Sequence, residues 1–229
     1  MSSLYIFLTG PAFIVALLIF IFGMLFRLVR YFAGLNWKLD RVAYRPGMSM
    51  GMRGGLYSIF RWVLPFGTHG WRSHPFFAFS FLLLHIGIVL VPLFLIGHNV
   101  ILKDNFGFGL PTLPQWVANT LTLLTIIGAV LIILRRIALP EVRIVTTWYD
   151  YFIILLAVLP FITGFIAMLH LESYNFWIIL HIICGEIMLI LAPFTKLSHI
   201  VLFFASRWQL GADFSIKRGG HRRGPSFPW

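Results

Sequence analysis

The chain has 229 residues, of which 59% are hydrophobic and only 11% are charged, and its mean hydropathy is +0.90. This composition excludes a soluble globular domain and is typical of a polytopic membrane protein. The formal charge of +11 does not indicate nucleic-acid binding, because 17 of the 18 Lys and Arg residues fall in three blocks that alternate with apolar segments, at 27–72, 135–143 and 196–229. The positive-inside rule places these blocks in the cytoplasm.

Five apolar segments are long enough to cross a bilayer as helices, at about 4–26, 75–102, 116–134, 148–169 and 176–205. The first segment has no basic n-region and no small-residue cleavage site, so we do not interpret it as a signal peptide. We therefore expect an all-α integral membrane protein, a bundle of five transmembrane helices with a periplasmic N-terminus and a cytoplasmic C-terminus. The membrane domain is predicted over 1–205, followed by a basic cytoplasmic tail over 206–229 that is either ordered by a partner or loose.

A long, basic cytoplasmic connection is predicted over 28–74. Its apolar run at 56–64 is too short to span the bilayer, so we expect it to lie in the membrane interface with Arg61 and Trp62 at headgroup level. A docking surface for a cytoplasmic partner is the alternative for this run. Cys184 is the single cysteine and lies in mid-span, which excludes a disulfide framework and indicates a packing residue.

Two histidines interrupt the apolar fifth segment, His181 and His199, which are 18 residues apart. On one continuous helix this spacing is five whole turns, so both imidazoles would leave the same face about 27 Å apart along the axis. That rise is close to the thickness of the hydrocarbon core. The pattern indicates two metal centres stacked across the bilayer, each held partly by this helix. The alternative is two polar residues that lie by chance in the bundle interior.

Partners for these imidazoles are predicted by depth on the second segment. His85 matches His199 near the cytoplasmic side, and His98 matches His181 near the outer side. The 13 residues from His85 to His98 correspond to about 220° on a regular helix, so His98 faces inward only if the backbone changes direction near Pro92. Two alternatives remain open for the outer site: His170 as the second ligand, or no second haem.

Imidazole pairs of this kind predict two bis-histidine b-type haems, because two neutral imidazoles fill both axial positions of haem iron. Arg72 and Lys196, with Arg135 and Arg143, are candidates to contact the propionates of the inner haem. Glu186 is the clear carboxylate deep in a span, and it either carries a proton for quinone chemistry or bonds a neighbouring hydroxyl. The chain shows no catalytic constellation, and nothing in its spacing assigns Lys103 or Asp104 to a quinone.

Several stretches of this sequence, together covering about 76–204, resemble the gamma subunit of respiratory nitrate reductase. The matching stretches are Leu134-Arg135-Arg136 through Val142-Arg143, Thr146-Thr147 with Asp150, Leu84-His85-Ile86-Gly87-Ile88, Leu180-His181, and Pro193-Phe194-Thr195-Lys196-Leu197-Ser198-His199-Ile200. The resemblance implies a five-span dihaem cytochrome b with an outside N-terminus, in which His85 and His199 hold the inner haem and His181 holds one side of the outer haem.

Two features depart from that family. Its second-span histidines are ten residues apart, whereas His85 and His98 are 13 apart, and its first cytoplasmic connection is shorter than 28–74. In these respects the chain looks more like relatives in transmembrane redox complexes of sulfate-reducing bacteria, whose outer partner is a periplasmic multihaem cytochrome c.

The expected function is electron transfer across the bacterial cytoplasmic (inner) membrane. The resemblance implies exchange with a quinone pool (menaquinone), a cytoplasmic iron–sulfur subunit and other membrane subunits. A proton-translocating transporter or channel and a purely structural membrane anchor are the competing functions. A transporter built on inverted repeats is disfavoured, because the sequence shows no internal repeat.

Overall fold

The structure is a computed structural model that describes residues 3–35 and 48–217, and all regular secondary structure within these ranges is helical. Five of its helical segments are long and apolar enough to cross a membrane, at Ser3–Ala33, Pro75–Phe94, Gln115–Ala138, Trp148–Met168 and Tyr174–Phe194. The prediction of an all-helical, multi-pass membrane protein with five spans is therefore confirmed. The orientation of its termini stays a prediction.

The helices follow one another in the order α1 (Ser3–Phe7), a π-helical turn (Leu8–Ala12), α2 (Phe13–Ala33), α3 (Met48–Val63), α4 (His69–Ser73), α5 (Pro75–Phe94), α6 (Ile96–Phe106), α7 (Gln115–Ala138), α8 (Pro140–Arg143), α9 (Trp148–Met168), α10 (Tyr174–Leu191) and α11 (His199–Lys217), with two short 3₁₀ turns between α10 and α11. The third and fourth spans correspond to α7 and α9, close to their predicted bounds. The first span continues further than predicted, to Ala33.

The second span differs from the continuous kinked helix predicted over 75–102. Helix α5 ends at Phe94, Leu95 adopts an extended backbone conformation (φ −70°, ψ 136°), and α6 begins at Ile96. Pro92 lies in the last turn of α5, where its ring and its missing N–H weaken the helical ladder. The break is thus complete, and α6 takes a direction of its own.

The carbonyl groups at the end of α5 all find new donors, as backbone inside a membrane requires. The side chains of α6 and the loop after it supply these donors: His98 Nδ1 lies 3.0 Å from the Pro92 oxygen, Asn99 Nδ2 lies 3.0 Å from the Leu93 oxygen, and the Leu113 N–H lies 2.8 Å from the Phe94 oxygen. The backbone carbonyls at the break therefore all have hydrogen-bond donors, and these hydrogen bonds stabilise the break.

The prediction of one continuous helix over 176–205 is wrong. Helix α10 ends at Leu191, a 3₁₀ turn covers Ala192–Phe194, and Thr195 is extended (φ −119°, ψ −175°) before the second 3₁₀ turn and α11. Pro193 cannot donate a backbone hydrogen bond, and its ring crowds the preceding turn, so the helix stops there. The argument that His181 and His199 share one helix face does not hold.

The chain divides into two compact units, one formed by Met1–Ile21 with Phe79–Thr195 and one by Phe22–Ala78 with Lys196–Trp229. In the first unit, helices α5 and α7 approach closely where both lack side chains. A Cβ on Gly128 would lie 2.6 Å from the backbone nitrogen of Leu84, and a Cβ on Gly87 would collide with the Thr125 hydroxyl. Close approach at small residues is a common way to pack membrane helices.

The second unit contains a helix pair, α3 and α11, that differs from the predicted short surface run and loose tail. A Cβ on Gly55 would lie 2.8 Å from the Trp208 ring, and a Cβ on Gly211 would collide with the carbonyl oxygen of Gly54. The Arg207 guanidinium lies 4.4 Å from the centre of the Trp62 ring. The boundary predicted at 206 falls inside α11. Small residues let α3 and α11 pack in direct contact.

Candidate metal centre in the membrane-spanning helices

The structure brings His98 of α6 and His181 of α10 together in the first unit. Their ring centroids are 5.8 Å apart and their planes differ by only 6°. Both residues come from segments of high apolar content, where an ionisable side chain needs a partner or a function. Of the alternatives left open for the outer site, this geometry matches the pair chosen by depth.

Each ring of this pair is fixed through the same nitrogen. His98 Nδ1 lies 3.0 Å from the Pro92 oxygen, and His181 Nδ1 lies 2.8 Å from the Pro160 oxygen. A carbonyl oxygen can only accept, so Nδ1 carries the proton in each bond and Nε2 keeps its lone pair. Metal-ligating histidines are usually held this way, with the nitrogen that does not bind the metal donating to a carbonyl or carboxylate.

The local backbone explains why each ring can reach its position. On an unbroken helix, His98 would face away from His85 and from the bundle, and the change of direction at Leu95 removes that constraint. On the other side, Gly164 of α9 makes room for His181, because a Cβ there would lie 2.9 Å from Cε1 and from Nδ1 of the ring. The helix break and the glycine together shape the site.

The spacing of the two rings fits one metal ion between them. Two metal–imidazole bonds of roughly 2 Å, with about 1 Å from each ring centroid to its nitrogen, place the centroids of trans ligands about 6 Å apart. Among the described residues, no three His, Cys, Asp or Glu side chains gather into a metal-binding group. The two imidazoles could serve as the protein ligands of a metal that takes its other ligands from a bound group.

His85 and His199, the predicted inner ligands, lie in different units and are described separately. His85 Nδ1 lies 2.9 Å from the Phe81 oxygen, and its ring stacks on the Phe81 ring at 3.7 Å. His199 is the first residue of α11, is exposed, and has Nδ1 2.9 Å from the Lys196 oxygen. In both rings Nδ1 thus contacts a backbone carbonyl, as in the outer pair, and the pairing of His85 with His199 stays a prediction.

His170, the alternative outer ligand, lies in the turn after α9 with a positive φ of 50°. Its side chain is exposed, and its ring packs edge-on against Tyr174, with centroids 4.9 Å apart. The ring contact of His170 is thus with a tyrosine of its own turn. Its position fits a residue of the membrane surface better than a second ligand beside His181.

The assignment of Arg72 and Lys196 as propionate contacts stays a prediction. The guanidinium of Arg72 donates to the Phe66 carbonyl at 3.0 Å, and both residues belong to the turn region around α4. Lys196 is exposed and opens the 3₁₀ turn whose carbonyl orients His199. Glu186 has a buried Oε1 without a hydrogen-bond partner among the described residues.

Two asparagines near the site were missed from the sequence. Asn99 is buried, donates to the Leu93 and Leu95 carbonyls, and accepts from the Leu110 N–H at 2.6 Å. Asn105 Nδ2 lies 2.8 Å from the Thr9 oxygen in the π-helical turn. An asparagine next to a histidine within an apolar segment was the available signal, because a buried amide needs several partners.

Within the described residues, the fold and these histidines define an all-helical membrane protein with five candidate spans and a pair of parallel imidazoles. The chain is 60% identical over 226 residues to a protein of Nitratidesulfovibrio vulgaris (strain Hildenborough), an alignment that covers 99% of this chain and 100% of that relative. It therefore belongs to the same protein family as that relative. No family model matches the chain.

Proposed function

We propose that this chain is a membrane cytochrome b subunit that carries electrons across the bilayer through two b-type haems. His98 and His181 hold the outer haem, and His85 and His199 hold the inner one. The observation that carries the proposal is the pair of parallel rings 5.8 Å apart, each with Nδ1 on a backbone carbonyl. Packing alone does not require two such imidazoles to lie parallel at this distance, each with Nδ1 committed to a backbone carbonyl.

The residues of this chain orient and insulate the centres. Carbonyl groups of Pro92 and Pro160 fix the tautomer and the tilt of the outer rings. A haem held by two imidazoles would supply one-electron transfer and would not bind oxygen or substrate. The surrounding apolar helices keep water and competing ligands away. The chain therefore conducts electrons within a larger oxidoreductase and has no catalytic residues of its own.

The proposed partners follow from the orientation of the chain in the membrane, which the distribution of its basic residues predicts. With the basic blocks in the cytoplasm, the N-terminus is periplasmic and the chain lies in a bacterial cytoplasmic membrane. The outer haem then exchanges electrons with menaquinone or with a periplasmic multihaem cytochrome c. The inner haem exchanges them with a cytoplasmic iron–sulfur subunit, as in the nitrate reductase gamma subunits that the sequence resembles. Other membrane subunits complete such a complex.

A proton-translocating channel or transporter is the second candidate function, and one observation favours it. Glu186 lies within α10, and its Oε1 is buried without a hydrogen-bond partner among the described residues. An intramembrane carboxylate of this kind is suited to carry a proton. This candidate leaves the parallel histidine rings without a role, and a non-redox anchor does the same.

The experiment is a reduced-minus-oxidised absorption spectrum of the purified chain, expressed with an ample supply of haem. A b-type alpha band is expected, and His181→Ala should lose part of that band. His69→Ala is the matched control, because His69 is exposed and its ring contacts Ser73 in α4. A colourless, folded preparation would exclude the proposed function and leave the channel and the anchor.

A further inference from the structure

The inner end of the first span carries two arginines that the proposed function does not use. Arg27 and Arg30 lie one turn apart on α2, so their side chains share a face. A cavity of about 190 Å³ lies beside them, bounded by these two residues, Tyr31 and Leu202. All four belong to the second unit. Two guanidinium groups at one cavity attract an anion.

One arginine donor at the cavity has no protein acceptor among the described residues. Arg27 Nε is buried and has no hydrogen-bond partner among the described residues. A buried N–H without an acceptor costs free energy, and a charged one costs more. The Tyr31 hydroxyl donates to the side-chain oxygen of Gln209 in α11. This hydrogen bond holds the tyrosine, which lines the cavity, in place. The buried donor without an acceptor at this cavity is therefore Arg27 Nε.

The position of the cavity along the helix indicates where an anion would come from. From Leu4 to Arg27 the chain rises roughly 35 Å at 1.5 Å per residue, slightly more than the hydrocarbon core of about 30 Å. Phe26 and Val29, on the same turns, are each 59% exposed. Apolar side chains face outward at the level where the arginines begin. Lipid headgroups, with phosphates above acyl chains, are found at that level.

We propose that Arg27 and Arg30 form a binding site for the phosphate of an anionic phospholipid, with Leu202 against the start of its acyl chain. Arginine suits this role because its planar fork donates two parallel hydrogen bonds to phosphate oxygens. The bound lipid lies beside α2 and α11, at the cavity that these residues line. The site is distinct from the histidine pair, and it does not depend on haem binding.

The test is a lipid titration of the detergent-solubilised full chain, followed by native mass spectrometry. Phosphatidylglycerol is expected to bind at a defined stoichiometry and phosphatidylcholine is not. Arg27→Gln and Arg30→Gln should each weaken phosphatidylglycerol binding about tenfold, the change expected for the loss of a charge-assisted hydrogen bond. Arg53→Gln is the matched control, an exposed arginine of α3 in the same basic block, and should leave binding unchanged.

Two further arms separate the outcomes. Inorganic phosphate is titrated against bound phosphatidylglycerol, and efficient displacement by phosphate alone would overturn the lipid assignment in favour of a free-anion site. Arg27→Lys keeps the charge without the fork and should lie between the wild type and Arg27→Gln. Equal weakening by Arg53→Gln, or equal binding of both lipids, would show nonspecific attraction and overturn the proposal. Size-exclusion chromatography verifies that each variant is folded.

Discussion

The ring nitrogens of four histidines carry most of the functional argument. In each of His85, His98, His181 and His199, Nδ1 lies within 3.0 Å of a backbone carbonyl oxygen. For His98 and His181, an Nδ1–H that donates to a carbonyl leaves Nε2 with the lone pair, which is the tautomer that metal ligation requires.

The predicted depth along the helix was enough to choose His98 as the neighbour of His181. The predicted angle around the helix axis argued against that choice. The 13-residue spacing implied opposite faces only because the sequence was treated as one helix through Pro92. The sequence signals a weak point at a proline, but not where the chain resumes or in which direction. That outcome depends on amide and backbone partners that come from distant residues, such as Leu113.

Replacing His98 distinguishes the two candidates for the outer ligand. His98→Ala is expected to lose the outer haem, about half of the total, because a single remaining imidazole binds haem iron more weakly than a trans pair. His170→Ala should retain the full content, since its ring contacts Tyr174. Pyridine haemochrome quantification against protein concentration measures both. Loss of haem only in His170→Ala would contradict the assignment.

At the scale of elements, α6 is a short helix held by two amide side chains. Asn99 bonds the carbonyls freed at the break, and Asn105 reaches the Thr9 carbonyl. That carbonyl is available because the Phe13 N–H bonds the Gly10 and Leu8 oxygens instead. A π-helical turn in the first span thus supplies an acceptor for the helix that carries His98. Such turns are often found at functional sites.

Asn99→Leu is expected to disturb the outer site without touching a ligand. The substitution leaves the Leu93 carbonyl and the Leu110 N–H without their partners, so α6 and the His98 ring lose their fixed position. Haem affinity at the outer site should fall about 10- to 100-fold, as for other residues that orient a ligand. Potentiometric titration should show a shifted potential for one haem only.

The matched control for that variant is Asn119→Leu on α7, whose amide contacts the sulfur of Met168 and the side chain of Gln115. It should leave both potentials unchanged. An equal shift of both haems in Asn99→Leu would indicate a general loss of packing and contradict a positioning role.

Helices α3 and α11 show what hydrophobic periodicity does not reveal. The sequence indicated a short interfacial run and a loose tail, because glycine-rich segments are usually flexible. In the structure, Gly54, Gly55 and Gly211 are where the two helix backbones approach each other. These glycines therefore allow close helix packing, and this role becomes visible only when the partner helix is known.

Gly211→Leu is expected to separate α3 from α11, because a Cβ at that position already collides with the Gly54 carbonyl. Overpacking of this kind costs about 1–3 kcal/mol. The midpoint of thermal unfolding in detergent should fall, and trypsin should cleave the second unit faster. Gly97→Leu is the control, since no atom lies within 4 Å of a Cβ there. An unchanged midpoint in Gly211→Leu would contradict the importance of the α3–α11 contact.

At the scale of the whole molecule, the sequence predicted the number of spans and most of their bounds, since apolar length is a strong signal. It did not predict the end of the fifth span. The apolar run continues past Pro193 into α11, so composition alone cannot separate a spanning helix from the one that follows it. The break at Pro193 places His199 in a different unit from His181.

The orientation of the five spans rests on the distribution of basic residues and is open to a direct test. Because Cys184 is the single, buried cysteine, Cys184→Ser gives a background without thiols. On it, Thr112→Cys in the predicted outer loop and Glu141→Cys in the predicted cytoplasmic turn place one exposed thiol on each side. A membrane-impermeant maleimide applied to spheroplasts should label the first variant, and label the second only after lysis. The opposite labelling pattern would invert the topology and would place the His98–His181 pair on the cytoplasmic side. The redox partner of that pair would then be an iron–sulfur subunit and not a periplasmic cytochrome.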